Sequence, residues 1–307
     1  MQRRRFLHTV VAGVAAAAVP LGAAAVAAQA ATPRPVRRKG FMLPSLRGDP
    51  KQKTSLADQF RLIRDAGFAG VEVRGSLNQR EVLAARDATG LVIPSVVVAA
   101  HWTHPLTSPN PATRAVGLEG LRQALRDAKA YGADSVLLVP GVVNKEIGYH
   151  DAYTRAQAEI RSAVSLAESL RVAIAIENVW NKFLLSPLEA AAFADAFQSP
   201  WVKWHFDVGN VVDTGWPEQW IRILGPRIVK VHVKEFSRKL REEKGPRAGF
   251  EAELMNGDSD WPAVMKALDD IGYAGWLITE QYRPPGLTDA GWLGQLSGQL
   301  DRILALS

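Results

Sequence analysis

The chain has 307 residues, 47% of them hydrophobic, which suffices for one large core and fits a single barrel as well as two smaller domains. It contains no cysteine, so disulfides, thiolate metal sites and a cysteine nucleophile are excluded. The net charge of +6 is concentrated at the N-terminus: from Gly40 onward 30 basic residues face 31 acidic ones, which argues against a nucleic-acid surface.

Residues 1–30 read as an export signal. Arg3-Arg4-Arg5-Phe6-Leu7 precedes an Ala/Val-rich stretch from Thr9 to about Ala28, and Ala28-Gln29-Ala30 offers a small-residue cleavage site. Adjacent arginines followed by Phe-Leu resemble the twin-arginine signal. The expectation is passage through the twin-arginine machinery to the periplasm or beyond. Sec export is a weaker alternative, and so is an uncleaved anchor, because an alanine-dominated stretch is only weakly hydrophobic. Residues 31–39 are rich in Pro and Arg and read as a linker, which leaves 40–307 for the folded domain.

From there strand-like and helix-like segments alternate, as in a parallel α/β fold. Gly40 to Ser45 is the expected first strand. Ser55 caps a helix with apolar positions at Leu56, Phe60, Ile63 and Ala66. Gly70–Arg74 is the second strand, a helix covers Gln79 to Ala88, and Leu91 to Val98 is the third strand. A loop rich in His, Trp and Pro follows, from His101 to Pro111. The helix from Ala112 to Tyr131 stops at Gly132, Ser135–Val139 is strand four, and Asp151 is the expected cap of the next helix. Strand five ends at Glu177, and Ser186-Pro187 opens a helix with proline in its first turn. Strands six to eight end near Asp207, His232 and Glu280, with helices near Pro217–Leu224 and Trp261–Ile271 between them. A last helix runs from about Asp289 to Leu306. Eight βα units in succession predict a (β/α)8 TIM barrel. The segment from Ser237 to Asp260 reads as one long irregular loop, of a length usually reserved for function.

Glu177, Asp207, His232 and Glu280 each close a short apolar run, and strand ends of such a barrel converge on one face. Charges there are costly unless paired or metal-bound. Three carboxylates and an imidazole suit one oxygen-preferring divalent cation, Mn²⁺ foremost, with Mg²⁺, Co²⁺ or Zn²⁺ as alternatives. His205 shares a strand face with Asp207 and reads more readily as a core or supporting histidine than as a fifth ligand. Glu72 ends strand two, where it could orient a substrate hydroxyl or pair with a barrel arginine. Lys234 could touch substrate or hold Glu280. His101 and His104 divide between substrate contact and plain surface, while Trp102, Trp180 and Trp216 could supply flat apolar walls.

Ile176-Glu-Asn-Val179, His205-Phe-Asp-Val-Gly-Asn210, Val231-His-Val-Lys-Glu235 and Gly257-Asp-Ser-Asp-Trp261 are similar to motifs of the sugar phosphate isomerase/epimerase family. These are xylose-isomerase-like barrels that include ketose 3-epimerases, L-xylulose-5-phosphate 3-epimerase, hydroxypyruvate isomerase and inosose dehydratase. The resemblance implies one cation held by Glu177, Asp207, His232 and Glu280, with Glu177 and Glu280 doubling as the acid–base pair across a cis-enediolate. It also implies that Arg238, six residues after His232, contacts substrate. Where ketose 3-epimerases commonly carry a histidine three residues after the strand-six aspartate, this chain has Asn210, which can hydrogen-bond a hydroxyl but cannot relay a proton.

The expected activity is therefore a metal-dependent sugar isomerase or epimerase acting on a small carbohydrate, in a barrel that could pair as a homodimer. A lyase or dehydratase working on a keto-sugar, cyclitol or glycoside is the alternative, and a non-catalytic sugar-binding protein a more distant one.

Overall fold

The computed structural model describes residues 35–46 and 54–306, so the expected export signal lies outside the described residues. Eight parallel strands close a barrel in sequence order, with β8 hydrogen-bonded back to β1. They are β1 Arg37–Met42, β2 Gly70–Arg74, β3 Ser95–Val97, β4 Ser135–Leu138, β5 Ala173–Glu177, β6 Val202–Asp207, β7 Ile228–Val233 and β8 Gly275–Thr279. The helices are α1 Leu56–Asp65, α2 Gln79–Thr89, α3 Pro111–Tyr131, α4 Tyr149–Leu170, α5 Pro187–Asp195, α6 Gly209–Val212, α7 Pro217–Leu224, α8 Arg238–Lys244, α9 Trp261–Asp270 and α10 Asp289–Leu304.

The outward faces of the strands form the main core against these helices. Phe41, Val71, Val96, Ile174, Trp204 and Val231 are all fully buried there. Inside the barrel the alternate positions are mixed. Glu72, Ser95, Ser135, His205 and His232 are buried polar groups, and Val97, Leu137 and Val139 make a separate apolar cluster with Met42 and Val179 packed on it. The barrel interior is thus a polar pillar on one side and a greasy wall on the other.

Local chemistry explains the helix starts. Ser55 accepts from Asp58 N at 3.1 Å, and Ser186 accepts from Glu189 N at 3.2 Å with Pro187 in the first turn. Asp151 is not a cap: α4 starts from Gly148, and Asp151 sits in its first turn, paired with Arg155 at 3.0 Å. Strand three is shorter than expected. Pro94 has no N–H to give a ladder, so only an isolated bridge between Gly70 and Val92 precedes Ser95.

The linker expected over residues 31–39 ends early, because Arg37, Arg38 and Lys39 belong to β1. Their charges face the helical shell. Arg37 bonds Asp269 at 2.6 Å and the Tyr273 carbonyl at 3.1 Å, and Lys39 bonds Ser297 Oγ at 2.9 Å and Asp301.

The segment 237–260 is not irregular. It holds α8 and a 3-10 helix, Pro246–Glu251. The fully buried Glu235 carboxylate organises it, accepting from Phe236 N, Met255 N, Ser259 N and Trp261 Nε1 at 2.9–3.2 Å. Four donors converge on one anion, and Gly257 packs so tightly against it that a Cβ there would stand 2.6 Å from Glu235 Oε1.

Candidate metal centre

Strand register brings the four expected ligands to one point. Glu177 pairs with His205 across β5–β6, Asp207 with His232 across β6–β7, and Glu280 follows β8 directly. One ligand atom from each of Glu177, Asp207, His232 and Glu280 lies within 4.8 Å of the others. His232 Nδ1 is the hub, at 2.9 Å from Glu177 Oε1, 3.1 Å from Glu280 Oε2 and 3.9 Å from Asp207 Oδ2. Two buried carboxylates and one half-buried one around a single imidazole nitrogen repel each other unless a cation stands among them. Asp207 Oδ2 is buried and makes no hydrogen bond among the described residues, although Lys234 Nζ stands 3.2 Å away. The donor set and this idle oxygen fit one divalent cation.

Three of the four ligands are braced from behind. Asp207 Oδ1 accepts from Asn210 N at 2.7 Å, and the Asn178 amide clasps the Asp207 backbone on both sides, accepting from its N at 3.0 Å and donating to its carbonyl at 2.8 Å. Asn178 follows Glu177 in the first quoted motif, but its role depends on a partner 29 residues away and is not legible from its position. His232 Nε2 lies 2.8 Å from Glu72 Oε2, and both side chains are fully buried. Glu72 therefore neither reaches a substrate nor pairs with an arginine. It orients the ring so that Nδ1 faces the other ligands, as carboxylates behind metal-binding histidines do. His205 lies below, its ring centre 4.1 Å from that of His232, outside the four-ligand cluster.

Lys234 donates to Glu280 Oε2 at 2.7 Å, so of its two expected roles the structure displays the one that holds Glu280. Burial disfavours charge on Glu280, but Lys234 and His232 outweigh it and keep the carboxyl well below the usual range. Burial pushes Glu177 up to about 7 despite His232, and Asp207 up to about 6 despite Lys234. His232 is raised: burial opposes the charge, and Glu72 followed by Glu177 and Glu280 overcomes it.

For the metal-free protein the sign follows. Carboxyls raised on folding stabilise most at low pH, and that contribution disappears as pH rises through about 6 for Asp207 and about 7 for Glu177. A bound ion needs both ionised. The increase in Tm on adding Mn²⁺ is therefore expected to be small at about pH 5 and several-fold larger at about pH 8. Thermal unfolding with and without the ion checks this, and an equal increase at both values would refute it.

Over the cluster lies a cavity of about 360 Å³. Glu177, Glu280, Lys234, Asn210, His101 and Trp102 all line it. Burial, with Arg74 nearby, lowers His101 to about 4, so its ring is neutral at pH 7, and its Nδ1 accepts from Val139 N at 3.2 Å. Trp102 is 53% exposed at the rim. Arg238 is placed elsewhere. Its guanidinium reaches the Gly215 carbonyl at 3.4 Å, and the arginine lining the cavity is Arg247, carried with Phe250 on the 3-10 helix. His104 and Trp216 also stay off the cavity wall.

A family model described as the xylose isomerase-like TIM barrel matches residues 60–296. This chain belongs to that family. Among curated relatives, L-ribulose-5-phosphate 3-epimerase UlaE of Salmonella paratyphi A is 25% identical over 241 residues, covering 73% of this chain and 81% of that protein. The crystal structure of a D-tagatose 3-epimerase-like protein superposes with a TM-score of 0.71 at 18% identity, over 87% of this chain and 98% of that one. The apo 3-keto-D-glucoside 4-epimerase YcjR from E. coli gives 0.72 at 14% identity, over 86% and 99%.

Proposed function

We propose that this member of the xylose isomerase-like family is a sugar isomerase or epimerase that holds one divalent cation, Mn²⁺ foremost, between Glu177, Asp207, His232 and Glu280. The observation that carries the reading is that two glutamates, on β5 and after β8, meet at one histidine nitrogen on the floor of a sugar-sized cavity. A cation held by these four residues would supply the polarisation that acidifies a C–H beside a carbonyl. Glu177 or Glu280 takes that proton to leave a cis-enediolate. Reprotonation by the other glutamate from the opposite face gives the epimer, and return of the abstracted proton to the neighbouring carbon gives the isomer. Lys234 keeps Glu280 ionised and in place. Asn210 and Arg247 are placed to hydrogen-bond hydroxyls, and Trp102 to cover the apolar face of the ring. The curated relatives' names support epimerisation, and the Arg3-Arg4-Arg5 leader supports export to the periplasm, where a free or glycosidic sugar is the more accessible substrate.

The test is incubation of the Mn²⁺-loaded protein in D₂O with free ketoses, aldoses and inososes, read by NMR and mass spectrometry. One deuterium in a product of otherwise unchanged mass is expected. Loss of water or bond cleavage would replace this reading with a lyase, and no turnover of any sugar would point to a binding protein.

A further inference from the structure

A second cavity, of about 390 Å³, adjoins the first, and Val179, Trp180 and Asn210 line both. The ridge between them is tied down: Trp180 Nε1 donates to the Asn210 carbonyl at 2.9 Å, and Asn210 Nδ2 donates to the Asn178 carbonyl at 3.0 Å. The far wall is the β5–α5 connection, where Lys182 and Leu184 hold φ values of 60° and 55°. Non-glycine residues in that left-handed region are costly and persist where surroundings fix them. Here the surroundings do. Asn181 donates to the Gly141 carbonyl at 2.7 Å and accepts from Phe183 N at 3.1 Å. Leu184 N donates to Tyr149 Oη at 3.0 Å and Leu185 N to Glu189 Oε2 at 2.9 Å. The second cavity is preformed.

Its chemistry differs from that of its neighbour. Phe183, Leu184, Val211 and Trp220 supply apolar wall, and Leu185 stands 65% exposed beside them. Several of the polar groups at the wall are committed, leaving Lys182 and Thr214 at its exposed edge. The Asn178 amide is spent on Asp207 and Trp204, and Asp213 pairs with Arg241 at 3.1 Å. A hydroxyl-rich sugar ring would find few partners here, whereas the first cavity offers Glu177, Glu280, Lys234 and Arg247.

We propose that the two cavities form one extended site, and that the substrate is a glycoside whose sugar ring itself carries a ketone and sits over the ligand cluster, where that ketone acidifies the neighbouring C–H, while an aromatic or alkyl aglycone crosses the Trp180–Asn210 ridge into the second cavity. This rests on the sugar isomerase/epimerase reading and names its substrate class. Apolar ligand surface buried against preformed aromatic walls contributes affinity without the ordering cost a flexible loop would impose.

The test is calorimetric titration of the Mn²⁺-loaded full chain with matched pairs of free sugar and 4-nitrophenyl glycoside, in both anomers, for glucose, galactose and mannose, with 4-nitrophenol alone as control. At least one glycoside is expected to bind about tenfold or more tightly than its free sugar. Thr214→Trp, which fills the second cavity, and Leu185→Asp, which charges its rim, should each abolish that advantage and leave free-sugar affinity unchanged. Both side chains are solvent-exposed, so folding is not at stake. Equal binding within every pair, or an advantage that survives both variants, overturns the proposal. If no pair binds while a free ketose exchanges deuterium, the aglycone site falls and the isomerase reading stands. If neither binding nor exchange occurs, both fall.

Discussion

Glu177→Gln and Glu280→Gln should each lower turnover by about 10²–10⁴ while leaving the barrel folded. Glutamine keeps an oxygen that can face the cation and preserves side-chain volume, but it cannot accept and return a proton at neutral pH. The two variants should differ in a second respect. Glu280 is gripped by Lys234 at 2.7 Å, so its loss also frees the lysine ammonium and weakens placement of Asp207 Oδ2, which the same ammonium approaches at 3.2 Å. Glu177 has no such partner beyond His232. Glu280→Gln should therefore cost more metal affinity than Glu177→Gln, and metal titration alongside deuterium exchange separates the two effects. If either variant retained wild-type exchange with metal bound, that glutamate would have no part in proton transfer.

Glu72→Gln is expected to weaken metal binding by about 10–100-fold without touching the cavity wall. Glu72 and His232 are both fully buried, and their 2.8 Å contact leaves Nδ1 to face the carboxylate cluster. A glutamine in its place can present its amide group to Nε2 and reward the wrong tautomer, turning the lone pair away from the ion. Mn²⁺ titration by calorimetry reads this directly, independent of any substrate. Glu72→Ala should add a stability loss of about 1–3 kcal/mol, because the imidazole is left without its partner in the barrel interior. Unchanged affinity in both variants would reduce Glu72 to a structural neighbour.

The barrel was legible because most strands are short apolar runs bounded by turn residues, and because Glu177, Asp207, His232 and Glu280 stand where such runs end. What escaped depended on partners distant in sequence. Arg37 and Lys39 look like linker charges until Asp269 of α9 and Asp301 of α10 are seen in the helical shell beside β1. Glu72 stands out as a strand-end carboxylate, but its role does not show until His232 lies beside it, 160 positions later. The family resemblance pointed to Arg238, but α8 carries Arg238 to the Gly215 carbonyl, and the 3-10 helix that follows brings Arg247 to the cavity. Local pattern reports period and polarity, and it cannot report which loop residue a helix start will turn outward.

Glu235 stands next to Lys234 at the base of the segment 237–260, and it ties down both ends of that segment: the backbone at Phe236 where it departs, and Met255, Ser259 and Trp261 where it returns. Everything between, including Arg247 and Phe250, is a cassette clipped at its base to that anion, with Arg238, Arg241 and Glu253 adding ties to Gly215, Asp213 and Gln299. Substrate preference can then diverge by exchanging residues 238–254 while the clip and the cation ligands stay constant. For engineering, grafts of this stretch from other barrels should be cut at the clip, keeping Glu235 and Trp261 as the fixed seams.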